Sequence, residues 1–168
     1  MSDLTIDDGA LTSRDEWVTA GLAASYIAHA AQYGYLVGSS VTHQARRDRN
    51  QWLESVRDQI LDALSLEENW DTYGSPPPDV RAAERAGRLM ELVCNMAHVL
   101  PVPRTEGTSE GGLSIEWYQP DVQFRFVLSD SGREVVVFFK DRTTGEVWEG
   151  PFESASQVIR KAFSLLSS

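Results

Sequence analysis

From Leu113 onward the chain keeps a two-residue rhythm broken by short polar turns, and few folds accept that pattern. Leu113, Ile115 and Trp117 alternate with Ser114, Glu116 and Tyr118, and Val122, Phe124, Phe126 and Leu128 alternate with Gln123, Arg125 and Val127. Successive side chains of a strand point to opposite faces, so each run presents one apolar face. Glu134 to Lys140 is rich in Val and Phe on both faces, as a strand inside a sheet is. A last, short strand begins at Val147-Trp148. The connections Gln119-Pro120-Asp121, Asp130-Ser131-Gly132 and Asp141-Arg142-Thr143-Thr144-Gly145 are hairpin-sized. Loops this short join antiparallel neighbours, so an antiparallel four-stranded β-meander is expected.

The residues before the meander follow helical spacing. Ser13-Arg14-Asp15-Glu16 reads as a capping box opening a helix over about 14–33. Leu53, Val56, Ile60 and Leu64, with Leu61 beside them, place a second helix over about 42–65. Val80, Ala83, Ala86 or Gly87, Met90, Val93 or Cys94, and Ala97 form the apolar stripe of a third, about 79–99, with Glu84 and Arg88 paired on its wet face. Ser154-Ala155-Ser156-Gln157 has the form of a further capping box and opens a C-terminal helix carrying Val158, Ile159, Ala162, Phe163, Leu165 and Leu166. The fold class is therefore α+β: N-terminal helices, the meander, then a C-terminal helix. The expected organisation is a flexible acidic N-terminus over 1–12, a helical extension over 13–55 and an α+β core over 56–168.

Charge restricts the partners. Acidic residues number 25 and basic ones 15, a net charge of −10. Such a field repels phosphate backbones and attracts basic surfaces. Bulk nucleic-acid binding is disfavoured, and a protein partner with a basic surface fits better. Cys94 is the only cysteine, so no internal disulfide forms and a reducing, cytoplasmic setting is expected. The acidic N-terminus lacks the basic start of a signal peptide. Trp17 to Ala45 contains no Asp, Glu, Lys or Arg, yet Thr19, Ser25, His29 and Gln32 recur along it, which argues against a membrane span. Small residues there, Gly21 among them, allow close helix approach. Trp17, Gly21 and Tyr26 are candidate interface residues, as are Arg46, Arg47 and Arg49 of the one dense basic cluster.

Two stretches carry a motif. Asn69-Trp70-Asp71-Thr72-Tyr73-Gly74-Ser75-Pro76-Pro77 matches Trp-Asp-x-Tyr-Gly-Ala-x-Pro, with Ser75 in place of Ala, and Gly111-Gly112-Leu113-Ser114-Ile115-Glu116-Trp117 matches Asp-Gly-Gly-Ile-x-Leu-Glu-Trp, with Glu110 in place of Asp. The pair resembles the signatures of a widespread group of small bacterial proteins with no established reaction, over about 60–150. The resemblance implies a shared fold and carries no activity. The motif residues are Trp70, Asp71, Tyr73, Gly74, Gly111, Gly112, Glu116 and Trp117. Asp71 is expected to cap its turn, and Trp70 and Tyr73 to plug the loop onto the core. Glu116 is expected to pair with Arg125 across the strands. The Gly-rich piece 106–112 lacks lysine and reads as a flexible loop rather than a phosphate cradle.

No catalytic residue, cofactor or metal is assigned. Cys94 and His98 have ligand spacing but lack two further ligands nearby. The reading is a non-enzymatic interaction or regulatory module of bacterial or phage origin, such as an antitoxin or an acidic inhibitor of a defence or nuclease complex. The alternatives are a hydrolase using two of the motif carboxylates Asp71, Glu110 and Glu116, and a structural homo-oligomer assembled through residues 14–37.

Overall fold

The computed structural model describes residues 39–96 and 100–167. The expected helix over 14–33, with Trp17, Gly21 and Tyr26, lies outside them, as does His98. The elements are α1 (Ser39–Leu64), α2 (Val80–Met96), β1 (Arg104–Gly107), β2 (Leu113–Tyr118), β3 (Val122–Leu128), β4 (Val135–Asp141), β5 (Val147–Pro151), a short 3-10 turn (Phe152–Ser154) and α3 (Ser156–Leu166). The α+β class and the antiparallel meander stand. The sheet has five strands rather than four, in the order β1-β2-β3-β4-β5.

The additional strand is β1. Its sequence, Arg-Thr-Glu-Gly, has no apolar alternation, and Pro103 precedes it directly. It exists because both of its flanks are satisfied. On one side Arg104 to Gly107 pair with Glu116 to Leu113. On the other the Gln59 side chain on α1 acts as a piece of strand. Its Nε2 donates to the Pro103 carbonyl at 3.0 Å, and its Oε1 accepts from the Thr105 N–H at 2.9 Å. One amide side chain thus closes an edge that would otherwise expose unpaired backbone.

The inner sheet face is the core. Leu113, Ile115, Phe124, Phe126, Leu128, Val137 and Phe139 are fully buried. They pack with Ala82, Ala86, Met90 and Val93 of α2 and Ile159, Ala162 and Phe163 of α3. The helical stripes therefore follow the expected spacing, with two departures. Leu61 and Val80 are exposed by 62% and 59%, each lying beside its buried row instead of in it. Glu84 and Arg88 do pair, at 3.9 Å.

The second capping box does not form. Phe152 turns inward from Pro151 to lie 6.1 Å from the Phe126 ring, which draws Ser154 into the 3-10 turn. Ser154 Oγ donates to the Pro151 carbonyl, and α3 starts behind Ala155 without a side-chain cap. Lys161 of α3 reaches the β4–β5 hairpin instead, donating to Glu146 at 2.5 Å, with Asp141 at 3.4 Å. No helix among the described residues is long and apolar enough to cross a membrane.

Candidate functional site: a motif joint that presents an exposed tyrosine

The loop between α1 and α2 is built around Asn69 and Asp71. The Asn69 N–H donates to the Ser75 carbonyl at 2.8 Å, and its Oδ1 accepts from the Gly74 N–H at 2.7 Å. Asp71 Oδ1 accepts from the Tyr73 N–H at 2.9 Å and the Ser75 N–H at 3.2 Å, and Oδ2 accepts from Ser75 Oγ at 2.5 Å. The turn-capping role expected of Asp71 is present. Ser75, the departure from the motif, is buried and supplies two of the three bonds, the one to Oδ2 from the hydroxyl that alanine would lack.

Those bonds hold the Asp71 carboxyl below its ordinary value of 3.8, the Ser75 hydroxyl contributing most and the Tyr73 N–H next. A carboxylate whose folded pKa is depressed stabilises the fold above its unfolded pKa and loses that contribution as pH falls through the folded one. Thermal melts of wild type and Asp71→Asn test this. The wild type should be the more stable at neutral pH, and the gap should close as pH drops below 3.8.

The loop joins the second motif directly. The Trp70 indole donates to the Pro76 carbonyl at 3.1 Å, and its ring lies against β1 where a side chain on Gly107 would stand 3.2 Å from it. The Asp79 N–H donates to the Gly111 carbonyl at 2.8 Å. Gly111, at φ 78°, lies beneath Pro76 and Pro77. A Cβ on Gly112 would fall within the Leu128 carbonyl oxygen of β3. The Gly-rich piece is therefore no flexible loop. Residues 104–107 are strand, and Thr108 closes a turn on Gly111 and Gly112 through its N–H, carbonyl and hydroxyl. The glycines remove side chains so that two backbones meet.

A second joint sits at the other end of β2. Trp117 is 2% exposed among Phe124, Phe126 and Phe163, and its indole donates to the Pro101 carbonyl at 2.8 Å. Trp52 of α1 donates to the same carbonyl at 3.2 Å. Neither Trp52 nor Gln59 stands out in the sequence. Each occupies a helix position whose partner is more than forty residues away, and no local pattern announces it.

Tyr73 does not plug the loop. It is 91% exposed. The chain reverses at Thr72, whose φ is 66°, and this leaves the tyrosine at the outer tip. A β-branched residue in the left-handed region is strained by about 1–2 kcal/mol, a cost that Asn largely avoids. Thr72→Asn should therefore raise the unfolding free energy by about 1 kcal/mol, read from the urea midpoint.

The motif carboxylates have separate neighbours. Glu116 faces the outer side of the sheet, in register with Arg125. It accepts from Gln123 Nε2 at 2.5 Å, while the Arg125 guanidinium stacks 5.3 Å over Phe138 of β4. The expected Glu116–Arg125 pair is thus replaced by two other contacts. Glu110 is exposed on the turn. Glu116 borders an open cleft of about 490 Å³, with Arg104, Tyr118 and Gln119 around it, and neither Asp71 nor Glu110 lines that cleft.

Arg46, Arg47 and Arg49 lie exposed on α1, and Arg49 donates to the Asn95 side chain of α2. Cys94 is half-buried beside the Arg49 carbonyl, and burial pushes its thiol up. No group of three His, Cys, Asp or Glu suited to a metal ion occurs among the described residues. Comparison with protein families, with curated proteins and with solved structures returns no match.

Proposed function

We propose that this chain is a non-enzymatic protein-interaction module that regulates a partner with a basic surface, in the manner of an antitoxin or of an acidic inhibitor of a nuclease or defence complex. The observation that carries the reading is one continuous acidic stretch. Between Arg57 and Arg81 lie six carboxylates, Asp58, Asp62, Glu67, Glu68, Asp71 and Asp79, and no cation. Asp79 is answered by Arg81 at 3.0 Å, which holds its carboxyl down to about 2. Asp58, Asp62, Glu67 and Glu68 are exposed and have no ion-pair partner among the described residues. Unanswered charge of one sign steers encounter with a surface of the other sign and repels like-charged ones. The two motifs fit this reading as framework, and they also support placing the chain with the small bacterial proteins whose paired signatures it resembles.

The test is co-purification of the full chain from its source cells at low and at moderate salt. A basic protein retained at low salt, whose association slows as salt rises, supports the reading. The absence of any stable partner at both salts contradicts it. Asp71→Asn and Glu116→Gln separate it from the hydrolase alternative. Abolition of a screened activity in folded variants would favour the enzyme.

A further inference from the structure

We infer that Tyr73 is the anchor of that interaction, and that it seats in an apolar slot on the partner rimmed by arginine or lysine side chains. The inference rests on the interaction reading above.

The first ground is that the described residues make no use of this ring. Tyr73 is 91% exposed, and neither its ring nor its hydroxyl has a partner among the described residues. Tyr118, the other strongly exposed tyrosine among the described residues, shows the contrast. Its ring carries the Arg142 guanidinium at 4.6 Å, and its hydroxyl accepts from Arg142 Nη2 at 2.8 Å.

The second ground is what surrounds it in the chain. Glu67, Glu68 and Asp71 precede Tyr73, and no cation lies nearer in sequence than Arg57 and Arg81. A cationic rim on the partner would meet these carboxylates, whereas an anionic lipid or nucleic-acid surface would be repelled. The third ground is cost. Asn69 and Asp71 fix the backbone on both sides of Tyr73, and a tyrosine side chain has few rotors to freeze. Large, rigid aromatic groups are the side chains that dominate interface energies.

The experiment uses full-length chains as competitors for the protein retained by the immobilised wild type. The competitors are wild type, Tyr73→Ala, Tyr73→Phe, the double variant Glu67→Lys with Glu68→Lys, and Val147→Ala as an exposed control. Tyr73→Ala should melt with the wild type, because the ring is 91% exposed and has no partner among the described residues. It should need about 30-fold more protein to compete, the loss expected of an interface anchor. Tyr73→Phe should stay within about 5-fold of wild type, since it keeps the ring. The double lysine variant should weaken competition and flatten its salt dependence, and the control should match wild type. Retention alone does not support the inference; the contrast between the Tyr73 variants does. Competition by Tyr73→Ala equal to wild type overturns the anchor while leaving the interaction reading intact. An unaffected double lysine variant overturns the cationic rim. Retention of no protein at either salt sinks the interaction reading and the anchor with it.

Discussion

Trp117→Ala should lower the unfolding free energy by about 3–5 kcal/mol, the range for removing a large buried aromatic side chain. Trp117 is 2% exposed, with ring centroids of Phe124, Phe126 and Phe163 at 5.8, 6.0 and 6.2 Å. It therefore bridges β2, β3 and α3, and its loss leaves a void bounded by three rings that cannot all move into it. The Pro101 carbonyl keeps the Trp52 donor, so the cost is mainly one of packing. Trp117→Phe should recover at least half of the loss for the same reason. Urea denaturation followed by far-UV circular dichroism measures both. The midpoint should fall and the slope should stay the same, since the surface exposed on unfolding hardly changes.

Gly112→Ala should be comparably severe, costing about 3 kcal/mol, although it adds a single methyl group. The added carbon would fall within the Leu128 carbonyl oxygen and stand 3.0 Å from Thr108 Oγ1. The first of these is backbone at the end of the β2–β3 pairing, where Leu113 lies opposite Leu128. Relief requires the strands to separate at that end or the 108–112 turn to open. Gly87→Ala is the contrast, because a Cβ there meets nothing within 4 Å. In the middle of α2 that change should stabilise, since alanine is the better helix former by about 1 kcal/mol. The same denaturation series reads both variants, with opposite signs expected.

The parts of this fold that were legible were those whose cause is local. β2 to β4 announce themselves by alternation, and their turns by length and residue type, because inward and outward positions are fixed by the strand's own geometry. Asp71 was legible as a cap for a similar reason, since its acceptor atoms reach N–H groups two and four residues on. β1 was not legible. Nothing in Arg-Thr-Glu-Gly favours a strand, and one side of it is completed by a glutamine on a distant helix. The Glu116–Arg125 pair failed more subtly. Its register was right, but Gln123 offered a neutral donor on the same face and Phe138 offered the guanidinium a ring. The outward turn of Tyr73 depended on the φ of Thr72, a residue that gives no sequence signal for the left-handed region.

The central physical claim is that the two motifs form one structural unit, with the Trp70 loop fastened to the glycine turn and through it to the sheet. Native-state hydrogen exchange tests it most directly. The Asn69, Ser75 and Asp79 amides donate to the Ser75 carbonyl, Asp71 and the Gly111 carbonyl, and the Thr105 amide donates to Gln59. If the unit is real, these four amides open together and share one exchange free energy, close to that of the β2 and β3 core. Exchange of the three loop amides through a separate low-energy opening, with Thr105 and the core still protected, would contradict it.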